Sequence, residues 1–527
     1  MATQPGLPAV AVAERHALVR KEPGFRRLSF GSAKRAWVGL NRIDRFAVVA
    51  LGLVLFAGFV LRVLFMVAWA PAFMGFSDAV AYVQMAGSGE LWSTGLHPAG
   101  YPLFLIDLHA IVPTAWFAIV VQHLFGLASA VLLWLTVRRA GAPRLVALLP
   151  AAVIALNGDE MFLEHSFLSE SLFIMLTSIC LYSAARAMGP PNLRWAVAAG
   201  LALAGADIVR VTALPLLPLL VLWLLLGTGG SWRARARAAA ASLACIVAVV
   251  GGYAFVQERH TGVLTLTTPA GAWNLYSRVA PFADCSKFTP PPGTAGLCEK
   301  TPPAKRTLAD DQYMFEPRVS IALQRFSRGD GPASASRAQD AKISAFTWAV
   351  IEHQPLDYVR TVLEGVIAYI TPVHLEFANR TELGAGYQLF YHEILFTPKD
   401  VQGALHNTLG WYGVHSYHES RGLLNSLLND ETLTRVDGPL MALLMVLSLF
   451  APFAPRGQAR RLGTLLFVFA WVSLITPPAT HVWDARYAIP PLGPLAAASA
   501  LGAWQCARLA SRALRARRPH AIAATPT

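Results

Sequence analysis

Apolar runs of about 20 residues recur along the chain and limit its fold more than any other feature. A helix needs about 20 apolar residues to cross the hydrocarbon core of a bilayer. Hydrophobic residues make up 55% of the 527 residues and charged residues only 14%, whereas soluble domains carry roughly 25% charged residues. We therefore predict an all-α polytopic membrane protein with about ten transmembrane helices. The predicted spans are residues 46–70, 115–137, 144–158, 163–185, two within 195–226, 238–256, 438–454, 462–480 and 487–507.

The basic residues predict the orientation of these spans. A nucleic-acid binder can also carry a net charge of +13, but here the basic clusters fall between apolar runs, as the positive-inside rule requires. With a cytoplasmic N-terminus, every cluster lies on the cytoplasmic side, so both termini are predicted there and no nucleic-acid partner is expected. The clusters lie at residues 15–35, 138–139, 233–237, 456–461 and 512–518.

The spans divide the chain into five predicted parts. The continuous apolar stretch 195–226 decides this topology, because polar and proline breaks at Asp207, Arg210 and Pro215 predict two helices rather than one. A single helix there would invert every later span. The predicted parts are a cytoplasmic tail 1–45, a transmembrane module 46–256 with a first external loop 71–114, an external segment 257–437, a three-span module 438–507 and a cytoplasmic tail 508–527.

The external segment 257–437 is predicted to contain mixed structure with juxtamembrane helices. Residues 345–370 place apolar side chains at helical spacing, which indicates amphipathic helices on the outer membrane surface. Cys285 and Cys298 both lie in this segment. Outside the cytoplasm a disulfide between them is expected, with two free thiols as the alternative.

Ionisable residues in or near the spans all fall in the outer half of the membrane or just beyond it. Such residues are costly at membrane depth and are kept mainly for function or pairing. Their shared level predicts one outward-facing site, whereas a channel or transporter would place ionisable groups near the midplane. They are Asp78, His97, Asp159, Glu160, Glu164, His165, Glu170, Asp207, Arg210, His481, Asp484 and Arg486.

Asp78 has the most suggestive surroundings. The stretch FSDAVAYVQMAGSGELWSTGLHPAGYPLF, residues 76–104, follows the first apolar run. Pro98 and Pro102 fix the backbone of its second half. The loop is therefore predicted to hold one carboxylate at the outer membrane face, where it can act as general base toward a hydroxyl. The alternative is that Asp78 has a structural role only, as a helix cap or a solvated acidic residue of the loop.

Three stretches resemble the GT-C fold glycosyltransferases that use polyprenyl-phosphate sugars. This class includes protein O-mannosyltransferases, lipid A aminoarabinose transferases and mycobacterial arabinofuranosyl- and mannosyltransferases. The stretches are SDAVAYVQMA…HPAGYPLFL (77–105), NGDEMFLEHSFLSESLFIML (157–176) and WDARYAIPPLGPL (483–495). The resemblance covers most of the membrane part and says little about 257–437. Many members have two adjacent acidic residues in the first loop, whereas Asp78 stands alone after Ser77; one carboxylate is a poor divalent-metal site, so no metal or cofactor is expected.

The resemblance implies an inverting transfer of a monosaccharide to a hydroxyl acceptor, with Asp78 as the general base. His97 would position Asp78, and Arg210 and Arg486 would bind the leaving phosphate, since guanidinium pairs phosphate bidentately. His481 is a weaker third phosphate ligand. The remaining implied substrate-contacting residues are Tyr101, Glu164, Glu170 and Tyr487.

Several alternatives stay open at this level. The chain could translocate a lipid-linked sugar or act as a non-catalytic cell-envelope scaffold. Arg210 and Arg486 could snorkel or pair internally with Asp207 and Asp484, and Glu170 could make a helix–helix hydrogen bond. The donor sugar, hexose or pentose, and the acceptor, a glycan, lipid or protein, are not readable from the sequence.

Overall fold

The computed structural model describes residues 40–73, 77–189, 192–327, 331–332, 335–370, 409–414, 418–420, 422–423, 426–427, 434–436, 438–454 and 457–516. The described residues from Ala47 onward belong to one compact unit. Most of the predicted N-terminal tail, residues 371–408 of the external segment and the end of the C-terminal tail lie outside the described residues.

Ten helices form the N-terminal part of the described chain. The last of them contains a π-helical turn at Val247–Gly251. They are α1 (Arg42–Ala68), α2 (Ser77–Ser88), α3 (Gly100–Ile111), α4 (Ala115–Arg139), α5 (Leu148–Leu156), α6 (Gly158–Glu164), α7 (Glu170–Ala187), α8 (Leu193–Val209), α9 (Leu216–Leu226) and α10 (Trp232–Thr261).

The remaining helices belong to the external segment and the C-terminal module. Those of the external segment are α11 (Gly271–Val279), α12 (Asp310–Phe315), α13 (Ile321–Phe326), α14 (Arg337–His353) and α15 (Pro355–Ala368), and those of the C-terminal module are α16 (Gly438–Ser448), α17 (Gln458–Thr480) and α18 (Leu492–Ala516). The only described strands, β1 (Trp69–Ala70) and β2 (His418–Glu419), pair antiparallel, with Trp69 opposite Glu419.

The apolar helices support a membrane protein. Among the described residues, α1, α4, α10 and α17 are long and apolar enough to cross a bilayer. The outer face of α1 leaves large apolar side chains uncovered, with Leu53 64% and Phe56 65% exposed. A soluble protein would bury such a face, whereas lipid can cover it. The count of ten spans stays a prediction.

Helices occur in each predicted span, but three of them differ from the prediction. The helix predicted at 163–185 is interrupted, because α6 ends at Glu164 and α7 begins only at Glu170. The span predicted at 144–158 contains only the nine-residue α5, about 14 Å long at 1.5 Å per residue. It ends because Asn157 is extended and its side chain caps α6 instead. The last helix begins only at Leu492, after Pro490 and Pro491, and continues to Ala516. The predicted break within 195–226 is confirmed between α8 and α9.

The described part of the predicted external segment combines helices with the strand β2 and long loops. Its helices enclose an apolar core of their own around Trp273, Tyr276, Tyr313 and Phe346, all nearly fully buried. The predicted helical stretch 345–370 is confirmed as the end of α14 and α15, which meet at Gln354. The expected disulfide between Cys285 and Cys298 is formed and closes the loop beside this core.

This core is fastened to the C-terminal end of α17. The buried Arg278 donates from Nε to the carbonyl oxygen of Pro478 over 2.9 Å and pairs with Asp310. Tyr358 donates its hydroxyl to the carbonyl oxygen of Ala479 over 2.7 Å, and the indole of Trp483 donates to Gly365 over 2.9 Å. These bonds fix the segment 481–491, which carries part of the site described below.

A buried ion pair joins α1 to α6. Both terminal oxygens of Glu164 lie 2.7 Å from guanidinium nitrogens of Arg62, and His123 contacts the same carboxylate at 2.8 Å. Arg62 also donates to the carbonyl oxygen of Ala155 over 2.7 Å. Charged groups in an apolar bundle are tolerated only when paired in this way. Gly126 on α4 leaves room for the pair.

Replacing Gly126 by alanine is expected to destabilise the protein strongly. The new Cβ would overlap the Glu164 carboxylate and the Arg62 guanidinium, and breaking a buried ion pair costs about 3–5 kcal/mol. Thermal unfolding in detergent measures the effect. Gly52→Ala is the matched control, because no atom lies within 4 Å of the Cβ position at Gly52 in α1. Equal unfolding temperatures of the two variants would contradict this role of Gly126.

Candidate active site

A cavity of about 510 Å³ opens where the first external loop, the end of α8, the external core and the segment after α17 meet. Six of the nine residues that the sequence predicted for the site line it: Asp78, His97, Arg210, His481, Arg486 and Tyr487. Tyr82, Asn274, Asp311 and Asp484 also line it. The cavity therefore brings together residues from distant parts of the chain.

Local sequence explains how the first loop presents Asp78. It lies in the first turn of α2, where a carboxylate is stabilised by the helix dipole. The chain then turns back through Pro98 and starts α3 at Gly100. A Cβ at Gly100 would collide with the carbonyl group of Ile208 near the end of α8. Glycine at this position therefore lets the loop approach the segment that carries Arg210.

Both oxygens of Asp78 face cationic or N–H donor groups. Oδ2 lies 2.5 Å from Nη2 of Arg486, and Oδ1 lies 3.1 Å from Nε2 of His97, whose Nδ1 contacts the Thr94 hydroxyl at 3.1 Å. Burial by itself raises the pKa of Asp78, but Arg486 and His97 outweigh it and hold the pKa well below its usual range. With a guanidinium on one oxygen and an imidazole on the other, these residues do not fit a divalent cation.

Arg486 is held by three carboxylates. Besides Asp78, its Nε lies 2.7 Å from Oδ2 of Asp484 and 3.8 Å from Oε1 of Glu170. The other oxygen of Asp484 accepts the backbone N–H of Arg486 over 2.8 Å and so caps the short 3₁₀ helix Ala485–Ala488. This cap turns the Arg486 side chain toward the first loop.

Arg210 forms the second cationic wall of the cavity. It follows the last residue of α8 in an extended conformation. Its Nη1 lies 2.6 Å from Oε1 of Glu170 and donates to the Ser169 hydroxyl over 3.0 Å. The guanidinium carbons of Arg210 and Arg486 lie 5.4 Å and 5.6 Å from the ring centre of Tyr487. Tyr487 therefore holds the two cations over one aromatic ring.

The sequence reasoning missed Tyr82 and Ser169. The hydroxyl of Tyr82 lies 3.3 Å from the Ser169 oxygen, and its ring packs edge-on against His97. Residues four apart on a helix share a face, so the spacing of Asp78 and Tyr82 was an available signal. Nothing in the sequence pattern singled out Ser169.

His481 lies at the edge of the cavity, directly after α17. Its Nδ1 contacts the Thr480 hydroxyl at 2.6 Å. Burial, with a smaller contribution from the charge of Arg210, lowers the pKa of His481 from 6.5 to about 4. The imidazole is therefore neutral near pH 7 and offers no positive charge to a phosphate, unlike the two arginines.

Three predicted site residues do not line the cavity. Glu164 is enclosed by Arg62 and His123, so its predicted role in a substrate pocket is not supported by its position. Tyr101 is buried and donates its hydroxyl to Gln122 over 2.7 Å, although its ring contacts Tyr82. Glu170 lies behind the cavity wall and pairs with both arginines.

Comparison with known proteins gives structural neighbours but no family. No family model and no curated protein matches the chain. Two structures of an oligosaccharyltransferase from Archaeoglobus fulgidus align, each with a TM-score of 0.42. One, named AglB, is in complex with an inhibitory peptide and a dolichol-phosphate; it is 12% identical, and the alignment covers 92% of this chain and 52% of that one. The other, in the apo form, is 11% identical with coverages of 89% and 52%.

The third neighbour is ArnT from Cupriavidus metallidurans bound to undecaprenyl phosphate. It is 13% identical with a TM-score of 0.31, and the alignment covers 89% of this chain and 79% of that one. This chain spans about half the length of the oligosaccharyltransferase chains. The functional proposal below is based on the geometry of the cavity.

Acid is expected to destabilise the protein partly through His481. The unfolded imidazole takes up a proton below pH 6.5, whereas the folded one does so only near pH 4. The contribution of His481 to the free energy of unfolding is therefore at its full value above pH 6.5, and it decreases as the pH falls toward 4. His481→Gln should lose less thermal stability over this interval than wild type. His353→Gln, a change at an exposed histidine of α14, is the control and should follow wild type.

Proposed function

We propose that this protein is an inverting membrane glycosyltransferase. It moves a monosaccharide from a polyprenyl-phosphate donor to a hydroxyl acceptor at the outer face of the cytoplasmic membrane. The observation that supports this most is the meeting of one carboxylate, Asp78, with two guanidinium groups, Arg210 and Arg486, in one cavity. A sugar phosphate needs both kinds of group, because a proton must leave the acceptor and a phosphate must leave the donor.

The two arginines suit the donor phosphate. Both guanidinium groups line the cavity and are 11% and 9% exposed, so each is largely shielded from water yet reaches the cavity. A guanidinium pairs with phosphate oxygens through two parallel hydrogen bonds. Such bonds to a charged group contribute about 1.5–3 kcal/mol each. The exposed apolar surface of helices such as α1 supports a membrane location, where the polyprenyl chain would remain in lipid.

Donor binding would also free the base. With Arg486 on its oxygen, Asp78 is a weak base, because the ion pair stabilises the carboxylate. A phosphate competes for the same guanidinium, and its arrival weakens the pair with Asp78. Asp78 then keeps His97, which lies 3.1 Å away and holds its orientation. The pKa of Asp78 rises toward the range in which a carboxylate accepts a proton.

The reaction balances with these groups alone. The acceptor hydroxyl gives its proton to Asp78 while its oxygen forms a bond to the anomeric carbon. The bond between that carbon and the phosphate oxygen breaks, and the electron pair leaves with the polyprenyl phosphate. Attack from the face opposite the phosphate inverts the anomeric configuration. Arg210 and Arg486 stabilise the charge that develops on the leaving oxygen.

The carboxylates behind the arginines have a role in product release. Glu170 lies 2.6 Å from Arg210, and Asp484 lies 2.7 Å from Arg486. They neutralise the guanidinium groups when no phosphate is present, which makes two buried cations tolerable. They also compete with the product phosphate, so binding remains reversible. The orientation of the site toward the outside rests on the distribution of basic clusters.

Asp78→Asn is expected to abolish transfer without unfolding the protein. Loss of a general base lowers the rate by about 10²–10⁴-fold, whereas asparagine keeps the size of the side chain. The measurement is release of polyprenyl phosphate from a panel of synthetic polyprenyl-phosphate sugars by the purified protein in lipid. The first donor that is cleaved also identifies the sugar.

The matched control is Asp357→Asn, because Asp357 belongs to an exposed pair with Lys287. This variant should release polyprenyl phosphate at the wild-type rate. Wild-type release by Asp78→Asn would remove Asp78 as the base. Translocation of the lipid-linked sugar across proteoliposomes with no release would favour the transporter alternative instead.

Arg486→Gln and Arg210→Gln are expected to weaken binding of polyprenyl phosphate about 10–100-fold, since each removes a charged hydrogen-bond donor. Direct binding to protein in nanodiscs measures this. Arg486→Lys tests whether the planar group matters, because it keeps the charge that Asp78 and Asp484 require. Arg360→Gln is the control, as Arg360 is 78% exposed on the external core. Equal affinities in all four variants would contradict the phosphate site.

A further inference from the structure

A second cavity of about 570 Å³ lies beside the first one. The two share Val211, Asn274 and His481 in their walls, so these three residues stand at the junction between them. The second cavity lies between α14 and the segment that links α10 to α11. None of the residues to which the proposed function gives a role lines it.

One wall of this cavity is a single polar face of α14. Arg337, Asp340, Ser344 and Trp348 line it at intervals of three or four residues, which places them on one side of the helix. The indole of Trp348 is 54% exposed even though it lines the cavity. Asp340 is held in place because one of its oxygens accepts the indole N–H of Trp273 over 2.7 Å.

The opposite wall is this linking segment, whose residues alternate between two faces. Val263, Thr265 and Thr267 line the cavity, whereas the alternate residues Leu264 and Leu266 are 67% and 54% exposed. The segment thus presents hydroxyl groups inward and leucines outward. The Thr265 and Thr267 hydroxyl oxygens lie 3.0 Å apart.

These groups match the surface of a sugar. A pyranose or furanose ring has an apolar C–H face and an edge of hydroxyl groups that both donate and accept. An open indole can pack against the C–H face, while a carboxylate, a guanidinium and threonine hydroxyls can bind the edge. A polyprenyl chain in the same place would desolvate Asp340 and Arg337 without offering them a hydrogen bond.

We propose that this second cavity is the acceptor site and that the acceptor is a carbohydrate. The inference rests on the proposed transferase function and names the class of its acceptor. The sugar packs on Trp348, its hydroxyl edge meets Asp340, Arg337 and the threonines, and its reacting hydroxyl passes His481 into the first cavity toward Asp78. Donor and acceptor therefore reach Asp78 from different cavities.

The test measures binding of defined oligosaccharides to the full-length protein in nanodiscs. The probes are a panel of synthetic tetrasaccharides of hexopyranose and pentofuranose units, with binding followed by saturation-transfer NMR. Trp348→Ala and Arg337→Gln are each expected to weaken binding about tenfold or more. Trp116→Ala is the matched control, because Trp116 is 56% exposed but does not line this cavity. Thermal unfolding shows that each variant is folded.

Binding of at least one tetrasaccharide that is weakened by both variants and unchanged in Trp116→Ala supports the proposal. Failure of every tetrasaccharide to bind, or equal weakening in the control, overturns it. The release assay with wild type and Asp78→Asn separates this inference from the proposed function, because saccharide binding is measured without a donor and without transfer. Release of polyprenyl phosphate that needs Asp78, without saccharide binding, overturns the acceptor class alone. Saccharide binding that needs Trp348, with full release by Asp78→Asn, overturns the proposed base alone.

Discussion

Asp78 and Arg486 are 408 residues apart in the chain, and their ion pair joins the first external loop to the C-terminal module. Most of the cavity depends on this contact. It draws the start of α2 toward the segment after α17, and it places His97 and Asp484 on either side. An ion pair with so little exposure is tolerated only with further partners, and Glu170 and Arg210 supply them from the membrane module.

Under the proposed transferase function, the same pair would let the protein hold its catalytic base in readiness. A base that is always strong would be protonated in the resting state, and a base that is always paired would never act. In the proposed function, Arg486 also binds the donor phosphate, so its pairing with Asp78 would make the basicity of Asp78 conditional on the donor. The proposed acceptor cavity would add a second condition, because an acceptor there reaches Asp78 only past the residues at the junction of the two cavities, Val211, Asn274 and His481.

Two sets of buried contacts hold the residues of the cavity in place. The Arg62–Glu164 pair ties α1 to the chain just before Ser169 and Glu170, which support Arg210. The external core, with Arg278 bonded to Pro478, fixes the other side of the cavity. Both sets of contacts use charged or polar groups that are shielded from water, where leaving one partner unpaired would cost free energy. None of Arg62, Glu164, Arg278 and Pro478 lines the cavity. Their role is therefore to hold the site in place.

By itself, the sequence determined the helical, apolar character of the chain and the break within 195–226, and it indicated a candidate base and candidate phosphate-binding residues, because apolar length, proline and ionisable side chains act locally. It also indicated the His97–Asp78 contact through the motif that contains both. It could not decide which carboxylates meet which cations. Glu164 ends α6 and Glu170 begins α7. Glu164 is nevertheless enclosed by Arg62, whereas Glu170 supports Arg210. That choice depends on which helices pack together, and only the tertiary structure decided it.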